Sequence, residues 1–200
     1  MRLTMLRLST VQRLVLLAAS TTVITGGVLS HGSAFAAPQW QKITDSSGIS
    51  VRLPGRPHVE KYSEGGVNSR DYVVKTGYGA LGFVVLDGPG KAPDRPWDLK
   101  TDLKAAVEGY NSSDTGARLR STDVHEGTTG GDHCLEAKLV GVDRVGHIRL
   151  VDHGRQELTI MTVGHGDQRR AVDRDYRQVL DSVKAPGHGT RHAEGAAVST

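Results

Sequence analysis

The sequence predicts an α+β domain: an antiparallel sheet of six to seven strands covered by two amphipathic helices. Three observations carry this expectation. Strands come in runs rather than alternating with helices, which disfavours a parallel α/β sheet. Short Gly-rich turns join consecutive strands, which implies antiparallel pairing. Two segments carry apolar residues at helical spacing and can each cover a sheet face.

The elements follow in chain order. Residues 1–36 read as a cleaved signal peptide: Arg2, Arg7 and Arg13 precede the apolar "LVLLAASTTVITGGVL", and Ala34 and Ala36 form an A-x-A exit. Residues 37–46 are taken as a linker and 47–184 as a single domain. "ISVRL" (49–53) alternates Ile49, Val51 and Leu53 with Ser50 and Arg52, as a half-buried strand does. "PGRP" (54–57) then ends the strand, because proline cannot continue a ladder. "RDYVVKT" (70–76) and "GALGFVVLD" (79–87) follow, the second apolar on both faces.

A first helix is predicted over 96–110, with Leu99, Leu103, Ala106, Val107 and Tyr110 on one stripe and Pro96 at its first turn. "YNSSDTG" (110–116), which holds an Asn-x-Ser sequon, reads as a loop after it. A weaker strand runs through 117–124, then "HCLEAKLV" (133–140), "GHIRLVD" (146–152) and "ELTIMTV" (157–163), with a tight turn at 153–155. Val172, Tyr176, Val179, Leu180 and Val183 mark a second helix over 167–184, stopped by Pro186 and Gly187. Residues 185–200 lack apolar periodicity and read as a disordered tail.

In this order the segments "ISVRLPGRP", "YVVKTGYGALGFVVLD", "DLKTDLKAAVEGY" and "GRQELTIMTVG…AVDRDYRQVLDSVK" resemble the PsbP-like fold family. They are most similar to its exported, LpqN-like and uncharacterised actinobacterial secreted members. The resemblance covers roughly 47–184 and rests on element order. It implies a PsbP-like α/β/α sandwich and a binding or assembly role rather than catalysis. It carries over no site residues.

Charge and chemistry narrow the remaining classes. The chain has 25 Lys+Arg against 22 Asp+Glu, and all three excess positives lie within residues 1–36. The mature chain is therefore formally neutral, which argues against nucleic acid and anionic membranes as partners. Cys134 excludes a disulfide framework within the chain; it is expected to be buried, the alternative being a covalent dimer. It follows His133 on a strand, so the two side chains point to opposite faces and do not form a dyad; His147 or His153 from another strand is the alternative partner.

No G-x-S-x-G elbow occurs. Eight histidines remain after cleavage (His58, His125, His133, His147, His153, His165, His188, His192), but none has zinc-motif spacing. They read as exposed, with weak metal binding by the His188/His192 tail as the alternative. Asp71, Asp87, Asp152 and Glu157 lie near strand ends and are the only carboxylates singled out for glycosidic chemistry. Trp40 and Trp97 are the aromatics to follow, Trp97 as a core cap. The sequence thus points to a secreted, non-enzymatic, monomeric binding module for a protein or cell-envelope component. It has no predicted catalytic, cofactor or metal residues. An exported hydrolase assembled from distant residues and a His-rich metal binder are the alternatives.

Overall fold

The computed structural model describes residues 39–88, 96–113 and 118–186. The predicted signal peptide (1–36) and the tail histidines His188 and His192 lie outside them. The chain is an α+β sandwich built on one seven-stranded antiparallel sheet. In chain order the strands are β1 (Trp40–Thr44), β2 (Ser50–Pro54), β3 (His58–Glu64), β4 (Val67–Thr76), β5 (Gly79–Asp87), β6 (Arg120–Thr129), β7 (Asp132–Val140), β8 (Arg144–His153) and β9 (Gln156–His165). Helix α1 (Leu99–Ser113) separates β5 from β6, and α2 (Arg169–Ser182) closes the domain. The main sheet runs β3-β4-β5-β9-β8-β7-β6, and β1-β2 forms a separate two-stranded sheet.

Alternation along the central strands sends side chains to two cores. On one face Val84, Leu86, Leu135, Ala137, Ile148 and Leu150 meet Leu99, Leu103 and Ala106 of α1. On the other, Phe83, Val85, Leu158 and Ile160 meet Val51 and Leu53 of β2 and Tyr176 and Val179 of α2. The third layer is therefore a hairpin and a helix side by side. The chain leaving α2 seals β2: Ser50 and Lys184 exchange two backbone hydrogen bonds of 2.8 and 2.9 Å.

Four expectations need correction. Part of the predicted 37–46 linker is strand β1, paired along its length with β2. The segment "ISVRL", expected as a half-buried strand of the main sheet, lies across that sheet's face, which is why Ile49, Val51 and Leu53 are all fully buried. The edge is β3, whose "HVEKYSE" carries few apolar residues because one side and one face meet solvent. Asp98, not Pro96, starts α1: its carboxylate accepts from the Thr101 N–H (3.1 Å) and hydroxyl (2.8 Å), as an N-cap does. Finally, the sequon Asn111 is not in a loop. It sits in the last turn of α1, and its amide donates to Leu119 O (2.9 Å) and accepts from Leu119 N (2.7 Å).

Candidate binding groove

Three cross-strand pairs of β7 and β8 lie under one edge of α2: Glu136 opposite Arg149, Lys138 opposite His147, and Val140 opposite Val145. All six point away from α1, because Leu135, Ala137, Leu139, Ile148 and Leu150 between them fill the α1 core. Facing these rungs, Arg169, Asp173, Tyr176, Arg177 and Leu180 form one stripe of α2 at i, i+4, i+7, i+8 and i+11. Sheet and helix enclose a groove of about 480 Å³.

The groove floor is a locked polar network. Tyr176 O–H donates to Glu136 Oε1 (3.1 Å), and Arg149 Nε donates to Glu136 Oε2 (3.0 Å). Arg149 Nη1 also donates to Thr129 Oγ1 (3.2 Å). Burial disfavours the charged form of Arg149, but the bond to Glu136 together with the charges of Tyr176, Glu136 and Cys134 outweighs it, and the guanidinium is held more firmly protonated. Burial, then the Glu136 charge, pushes the Tyr176 phenol far above its ordinary value. His147 stacks on Tyr176, with ring centroids 4.6 Å apart and 12° between planes, and its Nε2 lies 2.7 Å from Asp173 Oδ1. Both carboxylates lining the groove are therefore committed to partners. Arg169 and Arg177 line it exposed, with no carboxylate partner among the described residues.

The residues singled out from sequence are scattered. Cys134 is buried and free. It lies in the core on the β2–α2 side, whereas His133 beside it is exposed, as strand alternation requires. His58, His125, His133 and His165 are exposed. The expectation of exposure fails for His147 and His153, whose side chains are only 17% and 10% exposed because each is held by an aspartate. His153 Nδ1 lies 2.6 Å from Asp132 Oδ2, beside a small cleft of about 140 Å³. Among the described residues no group of three His, Cys, Asp or Glu is placed to hold a metal.

Of the four carboxylates, Asp152 and Glu157 face each other across β8–β9, while Asp71 lies on β4 and Asp87 at the end of β5. Asp152 accepts from the backbone N–H groups of Trp97 (2.9 Å) and Gly154 (3.0 Å), so it anchors the approach to α1. Glu157 is sealed at 1% exposure; burial, then the Asp102 carboxylate of α1, pushes it well above the usual range. Asp71, bonded by Ser69 Oγ (2.5 Å), is pushed up to about 6 by burial. Trp97 precedes α1, donates Nε1–H to Gly154 O (3.0 Å) and packs on the α1 core; Trp40 packs on the opposite core from β1.

Sequence reasoning missed the groove. It read only the apolar stripe of the second helix, Val172, Tyr176, Val179, Leu180 and Val183, and drew nothing from the charged residues beside Tyr176. The available signal was Glu136, Lys138, His147 and Arg149 alternating on two strands with apolar residues between them.

The fold is that of an α+β domain, a seven-stranded antiparallel sheet with two helices packed on it. The structure is similar to cyanobacterial PsbP (CyanoP) from Synechocystis sp. PCC 6803, at 12% identity over 80% of this chain and 100% of that one, with a TM-score of 0.47. It is also similar to LpqN, involved in cell envelope biogenesis of Mycobacterium tuberculosis, at 12% identity over 74% of this chain and 91% of that one, TM-score 0.37. Both are similarities at low sequence identity, to the kinds of protein that the element order resembles. No protein-family model matches the chain, and no curated protein matches it.

Proposed function

We propose that the chain is an exported, non-catalytic, monomeric binding domain for a cell-envelope component, and that the α2 groove is its recognition site. The observation that carries this reading is the pair of unpartnered guanidinium groups, Arg169 and Arg177, above a floor whose own charges are already matched. A rigid floor with free charges on one wall suits recognition, because little ordering cost remains at binding. Among the described residues no helix is long and apolar enough to cross a membrane.

The His147–Asp173 pair favours one second reading, a hydrolase with His147 as general base. Against it, among the described residues no Ser, Thr or Cys lines the groove to serve as a nucleophile. Retention of the purified chain on envelope fractions of its own host tests the proposal. Charge reversal at Arg177 (Arg177→Glu) is expected to abolish retention, while the remote Asp71→Asn leaves it intact. Equal retention of both variants rejects the groove as the recognition site.

A further inference from the structure

The groove's charge and its apolar end together specify a ligand chemistry, and the inference rests on the groove being the recognition site. Arg169 and Arg177 stand eight residues apart on α2, about 12 Å along the helix axis. Lys138 adds a third positive charge, held 2.8 Å from the exposed Asp123. Glu136 and Asp173, the negative groups present, are occupied by Arg149 with Tyr176 and by His147. Beyond them the lining turns apolar through Val140, Val145 and Leu180. Val142 projects fully exposed from the turn that follows Val140.

We infer that the groove binds a phosphate ester carried on a partly apolar molecule, the phosphate oxygens taken by Arg169 and Arg177 and the apolar portion lying along Val140, Val145 and Leu180. A guanidinium presents parallel N–H donors that match two oxygens of a phosphate, and such charge-assisted pairs are among the stronger polar contacts. A carboxylate ligand would use the same donors, but it offers two oxygens and one charge, whereas a phosphate monoester offers three oxygens and up to two charges, so each guanidinium can take its own. A lipid headgroup and a soluble phosphate ester share the chemistry.

The test is NMR titration of the protein recovered from its host grown on ¹⁵N medium. The probes are dihexanoylphosphatidylglycerol below its micelle concentration, inorganic phosphate, and neutral dihexanoylglycerol. The expected result is saturable shifts at Gly146, His147, Tyr176 and Arg177 with the phospholipid, and none with the neutral lipid. The double variant Arg169→Gln/Arg177→Gln is expected to weaken that binding at least tenfold. Both side chains are exposed and unpartnered, so its spectrum should otherwise match the parent. Inorganic phosphate binding as tightly as the phospholipid supports the anion site but overturns the apolar half of the proposal. Binding of the neutral lipid, or undiminished binding by the double variant, overturns the phosphate assignment while leaving the groove as recognition site. Absence of groove shifts with every probe also overturns it. The recognition reading itself falls only if envelope retention is indifferent to Arg177→Glu.

Discussion

Arg70 on β4 grips Asp45, just past β1, through two nitrogens: Nε lies 2.7 Å from Oδ2 and Nη2 3.0 Å from Oδ1. Tyr72 O–H adds a bond of 2.8 Å and Ser47 N–H one of 2.7 Å, so a carboxylate only 3% exposed is fully matched. This clamp ties the turn end of the β1–β2 hairpin to the main sheet, the same end at which Ser50 and Lys184 form their seal. Replacing Asp45 by Ala leaves a half-buried guanidinium and a buried phenol without partners. The expected cost is about 3 kcal/mol, the scale for breaking a buried ion pair from one side. Urea unfolding of the variant measures it; a loss within experimental error of zero would show that the hairpin docks through its apolar residues alone.

Asp45 and Asp71 make opposite demands on pH. Burial works to raise the Asp45 carboxyl, but the bonds from Arg70, Ser47 and Tyr72 outweigh it and hold it well below the usual range. Its contribution is present above the ordinary carboxylate value of 3.8 and is lost as pH falls below that. Asp71 is pushed up to about 6 by burial, against the lowering bond from Ser69. Between about 4 and 6 the folded state therefore binds more protons than the unfolded chain, so stability falls as pH rises through that window. Glu157, raised by burial and Asp102, acts in the same direction. Thermal melts are expected to show greatest stability near pH 4 to 5. Asp71→Asn, which keeps an oxygen acceptor for Ser69, is expected to flatten the slope above pH 4. At pH 7 it should add roughly 2 kcal/mol. A variant with an unchanged pH profile would place Asp71 in contact with water.

The parts of the fold visible in the sequence were those governed by one rule at a time. Leu135, Leu139, Ile148 and Leu150 alternate cleanly, and the stripe Val172, Tyr176, Val179 repeats at helical spacing, so their strands and helix were legible. The seven predicted strands match the number in the main sheet only because two differences cancel: β2 left it and β3 joined it. Strand β3 has little apolar alternation, and its surest signal was the Gly65–Gly66 turn, both residues at positive φ. Strand β6 was placed too early because a bulge between Thr122 and His125 breaks its period. The groove was illegible for a different reason: Asp173 meets His147 and Tyr176 meets Glu136 across 26 and 40 residues, distances that no local pattern encodes.

Cys134 supplies a direct check on packing. Its side chain is buried, 3% exposed, among the residues beneath β2 and α2. A thiol reagent is expected to label the folded chain at the rate of unfolding and to react at once in denaturant. The native protein is then expected to form no covalent dimer under oxidising conditions. Rapid labelling without denaturant would mean that α2 lifts from the sheet, and with it the groove wall.

Gly146 tests the same wall from the sheet side. It lies between Val145 and His147 on β8, and a Cβ added there would stand 2.1 Å from the backbone oxygen of Thr162 on β9. Backbone in a paired ladder cannot yield as a flexible side-chain tip can, so Gly146→Ala must push β8 from β9. The expected cost is about 3 kcal/mol, at the upper end of overpacking penalties. At Gly77, in the β4–β5 turn, an added Cβ meets nothing within 4 Å, and Gly77→Ala is expected to be close to neutral. Because His147 follows Gly146 directly, displacement of β8 also shifts its ring from Tyr176 and its Nε2 from Asp173. Gly146→Ala should therefore weaken both stability and envelope retention, whereas Gly77→Ala spares both. Loss of stability with retention unchanged would separate the groove from the β8 register and return the recognition surface to the α2 arginines alone.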